Sequence, residues 1–409
     1  MESEQAVFDD GRVWNRDFIC VMTANFMLCI GHFSVNPLVA SYTVFLGASP
    51  QLMGILTGMF YGVAFAMRPF AGPATTKLDK RRLMVAVFIL GAFANLGYAL
   101  LQNVPAFVFF RFLSGVQYSI VGSLLMTLAG DHLPKSKLTY GMGVFGVSGA
   151  ISVAFAPWIG ETVLTFGTDV RGEGFGFMLV FLLGTASFII AVIPSLILSP
   201  DGRTKEDYAS TGSWYKNIFT IHAVPVTIVL FFAVIPHAMI NTYVYELGKE
   251  QSIEGISAFY LVFALTMAVS RPLSGYLTYK LGVEKVVVPA LAVFALALFV
   301  IGSSGSLSMI ILGAVLSAIG VGSSLPSLQA MCLQTETPLR RGVASNTIYI
   351  GFDLGLFIGP MAGGFVYAAS DYSIMFKAGA TPAVIAMITF LAFLPVFRRR
   401  LKALETKNN

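Results

Sequence analysis

Charge is what this sequence has least of. Asp, Glu, Lys and Arg make up 11% of its 409 residues, against 56% hydrophobic. A soluble fold of that length needs far more charge to cover its surface, so that class is excluded. Cysteine is scarce too: Cys20, Cys29 and Cys332 all lie in apolar stretches, at spacings that fit neither a metal site nor a redox motif. They are expected to pack. The signatures of hydrolysis and nucleotide binding are missing as well. There is no HExxH and no Asp-rich pair, and the Gly141–Gly149 run lacks the Gly-Lys-Ser/Thr ending of a phosphate loop. A metallohydrolase, a prenyl transferase and an ATP-driven pump each lack their parts. No enzymatic activity, metal or cofactor is expected. The net charge of +5 comes from residues in short loops rather than from a patch, which argues against nucleic acid and for lipid headgroups as partners.

What the chain does have is long apolar runs. They lie near 18–42, 51–71, 83–101, 105–129, 139–160 and 176–199, then 221–245, 255–279, 283–302, 306–332, 341–368 and 373–397. Each has about 19 residues or more, enough to cross ~30 Å of hydrocarbon at ~1.5 Å per residue. Backbone groups must be satisfied within each run, so all twelve are expected to be helices. The acidic start, with Glu2, Glu4, Asp9 and Asp10, is not that of a secretory signal, and the first run is expected to stay in the membrane. The expected organisation is a bundle over 1–199, a linker over 200–219 and a second bundle over 220–409.

Lys and Arg set the orientation. With the N-terminus in the cytoplasm, twenty of the 26 basic residues fall in inner segments and three in outer loops. Such a bias predicts that both termini are cytoplasmic, in a multi-pass protein of the plasma or inner membrane. The other three, Arg68, Arg111 and Arg271, lie within apolar spans.

One stretch occurs twice. Arg68-Pro69-x-x-Gly72 recurs as Arg271-Pro272-x-x-Gly275, 203 positions later, and Lys77-Leu78 recurs as Lys280-Leu281. Pro157 and Gly160 match Pro360 and Gly363 at the same offset, while Tyr42, Leu46 and Gly47 match Tyr243, Leu247 and Gly248 at 201. Each six-span half therefore reads as a copy of the other in the same orientation. Parallel repeats of this kind are an architecture of alternating-access carriers.

Twelve spans in two related halves, with RPxxGxxxxK between spans two and three, resemble the major facilitator superfamily. Arg111-Phe-Leu-Ser-Gly115 in span four and Gly355-x-x-x-Gly359-Pro360-x-x-Gly363-Gly364 in span eleven support the resemblance, which covers nearly the whole chain. It implies an all-α membrane protein of two pseudo-symmetric six-helix bundles that transports by rocking. It also implies gate or conformational roles for Arg68, Gly72, Arg271, Gly275, Gly359 and Pro360; for Arg68 and Arg271 the competing reading is snorkelling to the interface. The family's loop motif carries an acid four residues after its Gly, where this chain has Thr76 and Tyr279. Asp79 is the candidate to replace it by pairing with nearby basic side chains.

Ionisable residues deep in a span are costly unless paired or hydrated, so they point to mechanism. Asp353 lies ~18 Å into span eleven and Arg111 ~9 Å into span four. Each either binds solute or protons, or holds helices together. Asn25, His32 and Asn36, at i, i+7 and i+11, are expected to share one face of span one. His237 and Asn241 are four apart in span seven. Pro37 and Pro236 are expected to kink these helices beside the site. Either histidine could take a coupling proton, or simply bond to a carbonyl. Gln117 and Tyr118 are expected to line the cavity, and Glu336 to lie at the surface. Taken together, the expected function is proton-coupled efflux of an amphipathic organic solute by a monomer. The alternatives are symport or exchange of an organic anion held by Arg111, or a transporter-like sensor.

Overall fold

The computed structural model describes residues 12–48, 50–204, 207, 213–256 and 258–408. The acidic residues at 2–10 and the linker positions 205–206 and 208–212 lie outside them. Among the described residues there is helix and no strand. The first unit holds α1 (Arg16–Val35), α2 (Val39–Phe45), α3 (Pro50–Lys77), α4 (Lys80–Leu100), α5 (Val104–Asp131), the later part of α6 (Leu138–Arg171) and α7 (Glu173–Ile197). In the second are α8 (Val224–Glu250), α9 (Ala258–Leu281), α10 (Glu284–Gly302), α11 (Leu307–Gln334), α12 (Arg341–Ala369) and α13 (Tyr372–Asn408). Eleven spans among the described residues are long and apolar enough to cross a membrane, and α3, of 28 residues, is the remaining long helix. Twelve long helices match the twelve expected spans.

The helices start and stop where local chemistry directs. Asn15, Asp79 and Asn103 each cap a helix by accepting an amide hydrogen bond, from Phe18, Arg82 and Ala106. Pro37 interrupts the first span as expected: α1 gives way to a 3-10 turn at Asn36–Leu38 before α2 resumes. Pro236 does not do the same, because α8 runs unbroken through it. A proline in a membrane helix is tolerated when neighbours re-satisfy the freed backbone group.

The duplication shows in the packing. In the first unit α1 packs on α7, α4 on α7, α3 on α5 and α4 on α5. The second unit repeats each pairing, as α8 on α13, α10 on α13, α9 on α11 and α10 on α11. Close approach rests on small residues. A Cβ at Gly355 would meet Val234 at 2.8 Å, and one at Gly351 the Thr227 carbonyl at 2.7 Å. The boundary between units differs from the sequence expectation in one place. Residues Leu133–Val147, which open the fifth span, group with Phe219–Asn409, while α6 from Ser148 onward groups with the first unit. The cause is local: a Cβ at Gly143 would meet the Arg271 carbonyl at 2.6 Å, and one at Gly275 would meet Tyr140 Cα at 2.8 Å. Helix backbones at that separation count as one packed body. Cys20 and Cys332 are buried free thiols, and Cys332 Sγ donates to the Ala344 carbonyl.

Candidate functional site

The first unit gathers five of the residues anticipated from sequence. The 3-10 turn after α1 places Asn36 beside α5, and its Oδ1 accepts from Arg111 Nη1 at 2.9 Å. Arg111 is 2% exposed. Its Nε donates to the Leu56 carbonyl of α3, and its guanidinium carbon lies 4.8 Å from the Phe60 ring centroid. A cation in an apolar interior needs such polar and aromatic partners, and a planar guanidinium can serve several at once.

One turn before Asn36, His32 Nε2 lies 3.1 Å from Gln117 Oε1. Phe60, Tyr118 and Phe188 all meet the His32 ring edge to face, with centroids 5.2 Å away. Phe60 thus touches both His32 and Arg111 and joins the two polar pairs into one constellation. Gly31 and Gly91 make the room: a Cβ there would press on Phe188 at 3.1 Å, or on Gln117 and Phe188 at 3.3 Å. Gln117 is fully buried and its Nε2 has no hydrogen-bond partner among the described residues. Asn25 stands apart, donating to Ser148 on α6.

The second unit is sparser. Asn241 Nδ2 and His237 Nε2 are 3.2 Å apart on α8, and Phe263 of α9 stacks on His237 at 6.0 Å. Asp353 is 2% exposed on α12, two residues past Gly351 and two before Gly355 in the glycine seam against α8. Gly359 belongs to the same seam, where its Cβ would meet the Ile235 carbonyl at 2.5 Å, and the Pro360 carbonyl accepts from Tyr243 Oη at 2.7 Å.

The anticipated gate residues resolve individually. Arg68 is 1% exposed and donates from Nη1 to the Ser119 carbonyl of α5 at 2.6 Å, so it does not snorkel. Arg271 bonds the Gly146 carbonyl from Nη1. Gly72 is buried, and its carbonyl accepts from both Thr75 and Thr76 at 2.9 Å. Thr76 is therefore committed within its own helix, and Tyr279 is exposed. Asp79 uses its carboxylate to cap α4 at Arg82, a correction to its expected role as a partner for basic side chains. Among the basic residues of that turn, Lys80 pairs with Asp131, at 2.5 Å. Glu336 is also corrected, from surface to interior. It is 6% exposed, accepts from Thr220 at 2.5 Å, lies 3.0 Å from His222 Nδ1 and 3.6 Å from Arg400.

Sequence reasoning missed Phe60 and the Leu56 carbonyl. Nothing in spacing separates Phe60 from the chain's 34 other phenylalanines. The Arg111 side chain reaches it only because α3 lies along α5.

Two bundles with helices paired alike, and buried polar groups inside each, describe a membrane carrier. The profile of the Major Facilitator Superfamily matches residues 21–260 and 226–408, and the chain belongs to that family. The multi-drug resistance efflux pump PmrA of Streptococcus pneumoniae is 23% identical, over 89% of this chain and 92% of that protein. The multidrug resistance protein MdtG of Proteus mirabilis is 24% identical, over 89% and 92%. Among solved structures, the human organic anion transporter MFSD10 aligns with a TM-score of 0.75 at 15% identity, covering 91% of this chain and 98% of that one. The E. coli fucose:proton symporter FucP aligns at 0.75 and 13%, covering 94% and 98%. These likenesses carry the fold. The chain is a transporter and not an enzyme.

Proposed function

We propose that this transporter exports amphipathic organic solutes in exchange for protons, with the basic turns and both termini in the cytoplasm. The observation that carries the reading is Arg111, a buried cation whose named partners are an amide, a carbonyl and an aromatic face. A solute with an apolar body and a polar group fits such a lining, and two relatives of similar length are named as multidrug proteins. Asp353, buried on α12, is the proposed proton carrier, with His32 and His237 as further candidates.

Proteoliposomes with an imposed pH gradient test this. Ethidium should move against its own gradient when protons run the other way, and Asp353→Asn should remove the response to the gradient. Full response by Asp353→Asn would rule that residue out as the sole proton site. The second reading, transport of an organic anion, is favoured by the Arg111 guanidinium, whose geometry suits a carboxylate. There Arg111→Ala abolishes anion transport and spares neutral amphiphiles. Equal loss of both by a folded protein counts against the anion reading.

A further inference from the structure

The residues that follow α7 fold back onto the repeated basic turn. Ser199 donates its amide to Asp17 Oδ1 at 2.9 Å, which fixes the exit from α7 to the start of α1. Asp201 and Arg203 then lie across the junction of α3 and α4, with side chains only 7% exposed, paired at 2.5 Å. Arg203 Nη1 donates to the Thr76 carbonyl at 2.5 Å, and Nη2 to the Leu78 carbonyl at 2.7 Å. Asp201 Oδ2 accepts the Lys80 amide at 3.0 Å.

Each contact has an electrostatic reason. The last carbonyls of α3 have no partner within the helix and carry the negative end of its dipole, and Arg203 brings a cation there. The first amides of α4 carry the positive end, and Asp201 brings an anion. Burial disfavours the Asp201 carboxylate, yet hydrogen bonds from Arg203 and the Lys80 amide leave its pKa below the ordinary value. A buried ion pair is retained at low cost only when its hydrogen bonds are filled, as they are here.

The second copy of the turn is built otherwise. Position 282, the counterpart of Asp79 at the 203 offset, is glycine at φ +93, and its amide bonds back to the Thr278 carbonyl. That is a helix ending which needs no outside residue. Among the described residues, only the first copy takes its closure from the linker.

We propose that Asp201 and Arg203 are positioning residues of the transport cycle: they bind the α3–α4 turn to the end of α7, so that α3, α4 and α7 reorient as one piece. The inference rests on the family's transport activity and on neither the solute nor the direction proposed above.

Hydrogen exchange resolved to single amides, on the full chain in nanodiscs, tests the strap directly. In Asp201→Ala the Lys80 amide should exchange at least roughly tenfold faster, as the loss of a charged hydrogen-bond partner implies. The Arg82 amide, which bonds Asp79, should not change. Asp201→Asn keeps an acceptor oxygen and should restore part of the Lys80 protection. In proteoliposomes with ethidium as the probe, Arg203→Ala should lower Vmax several-fold at unchanged KM, and Arg203→Lys should recover part of it. A Lys80 amide that stays protected in Asp201→Ala overturns the proposal. So does a loosened Lys80 amide in Arg203→Ala with Vmax unaltered, because the strap would then hold the turn without governing turnover. Failure of the unaltered protein to move ethidium counts against the solute proposed above and leaves the Lys80 amide to decide this one.

Discussion

The two copies of the Arg-Pro-x-x-Gly turn end equivalent helices by different means. In the second, Gly282 closes α9 with a left-handed residue. In the first, Asp79 starts α4, and the closing of α3 passes to Arg203, 127 positions from Thr76. The same inversion recurs nearby. In the first unit an acid at the start of α1, Asp17, faces a histidine after α5, His132, at 3.8 Å. In the second a histidine just before α8, His222, faces an acid after α11, Glu336, at 3.0 Å. Arg81 bonds the Leu196 carbonyl near the end of α7, while its counterpart Glu284 holds Arg398 of α13 at 2.5 Å. Duplication kept the places that must be tied and not the residues that tie them.

The interiors differ more. His32, Gln117, Asn36 and Arg111 are joined through Phe60 in the first unit, whereas in the second His237 pairs with Asn241 on its own helix and stacks on Phe263. The largest expected effect follows from this. Arg111→Ala should reduce transport roughly 100-fold, the upper end for a buried charged hydrogen-bonding group, and His237→Ala less than about tenfold. Initial rates in proteoliposomes, compared at equal amounts of folded protein, check the pair. Equal losses would mean that the two interiors share the work evenly.

Next come the paired arginines. Arg68 is buried to its tip on the Ser119 carbonyl, while Arg271 is partly exposed. Arg68→Ala should destabilise by about 2–3 kcal/mol, from a lost charged hydrogen bond and lost packing, and Arg271→Ala by about 1 kcal/mol. Thermal unfolding in one detergent would show the order, and a reversed order would mean that the halves are not stabilised as described.

Much of this was legible before the structure. Twelve spans follow from hydropathy because the bilayer leaves the backbone few alternatives. The break at Asn36 follows from Pro37, and the shared face of His32 and Asn36 from helical spacing. What stayed hidden depends on which helices are neighbours. Phe60 acquires its place only where α3 meets α5, and Asp201 and Arg203 read in sequence as an ordinary polar linker. Asp79 misled because an acid among basic residues suggests an ion pair, while Asp just before a helix is equally an N-cap. The grouping of Leu133–Val147 with the second unit was hidden too, since the contact of Gly143 with Arg271 joins residues 128 positions apart.

A smaller effect separates the two turns directly. Gly282→Ala forces a side chain onto a left-handed residue and should cost about 1–2 kcal/mol. Asp79→Ala removes a cap and should cost about 1 kcal/mol, and Asp79→Gly only a few tenths. If Gly282→Ala were neutral in thermal unfolding, the second turn would not depend on the left-handed ending assigned to it.

The smallest effect concerns pH and falls on the first unit. Burial is the main influence on His132 and holds its pKa below the usual histidine value, although Asp131 and Asp17 work the other way. A histidine with a lowered folded pKa favours the neutral form in the native protein. Its contribution is therefore complete above pH ~6.5 and is lost as pH falls through that value toward the folded pKa. Asp201, with its lowered carboxylate pKa, acts with the same sign but only at pH below ~4, so the strap should hold throughout the range in which His132 responds. Unfolding temperatures measured from pH 8 to pH 5 should thus fall on the acid side, and His132→Asn should flatten the lower part of that curve. An unchanged slope in His132→Asn would move the acid sensitivity elsewhere.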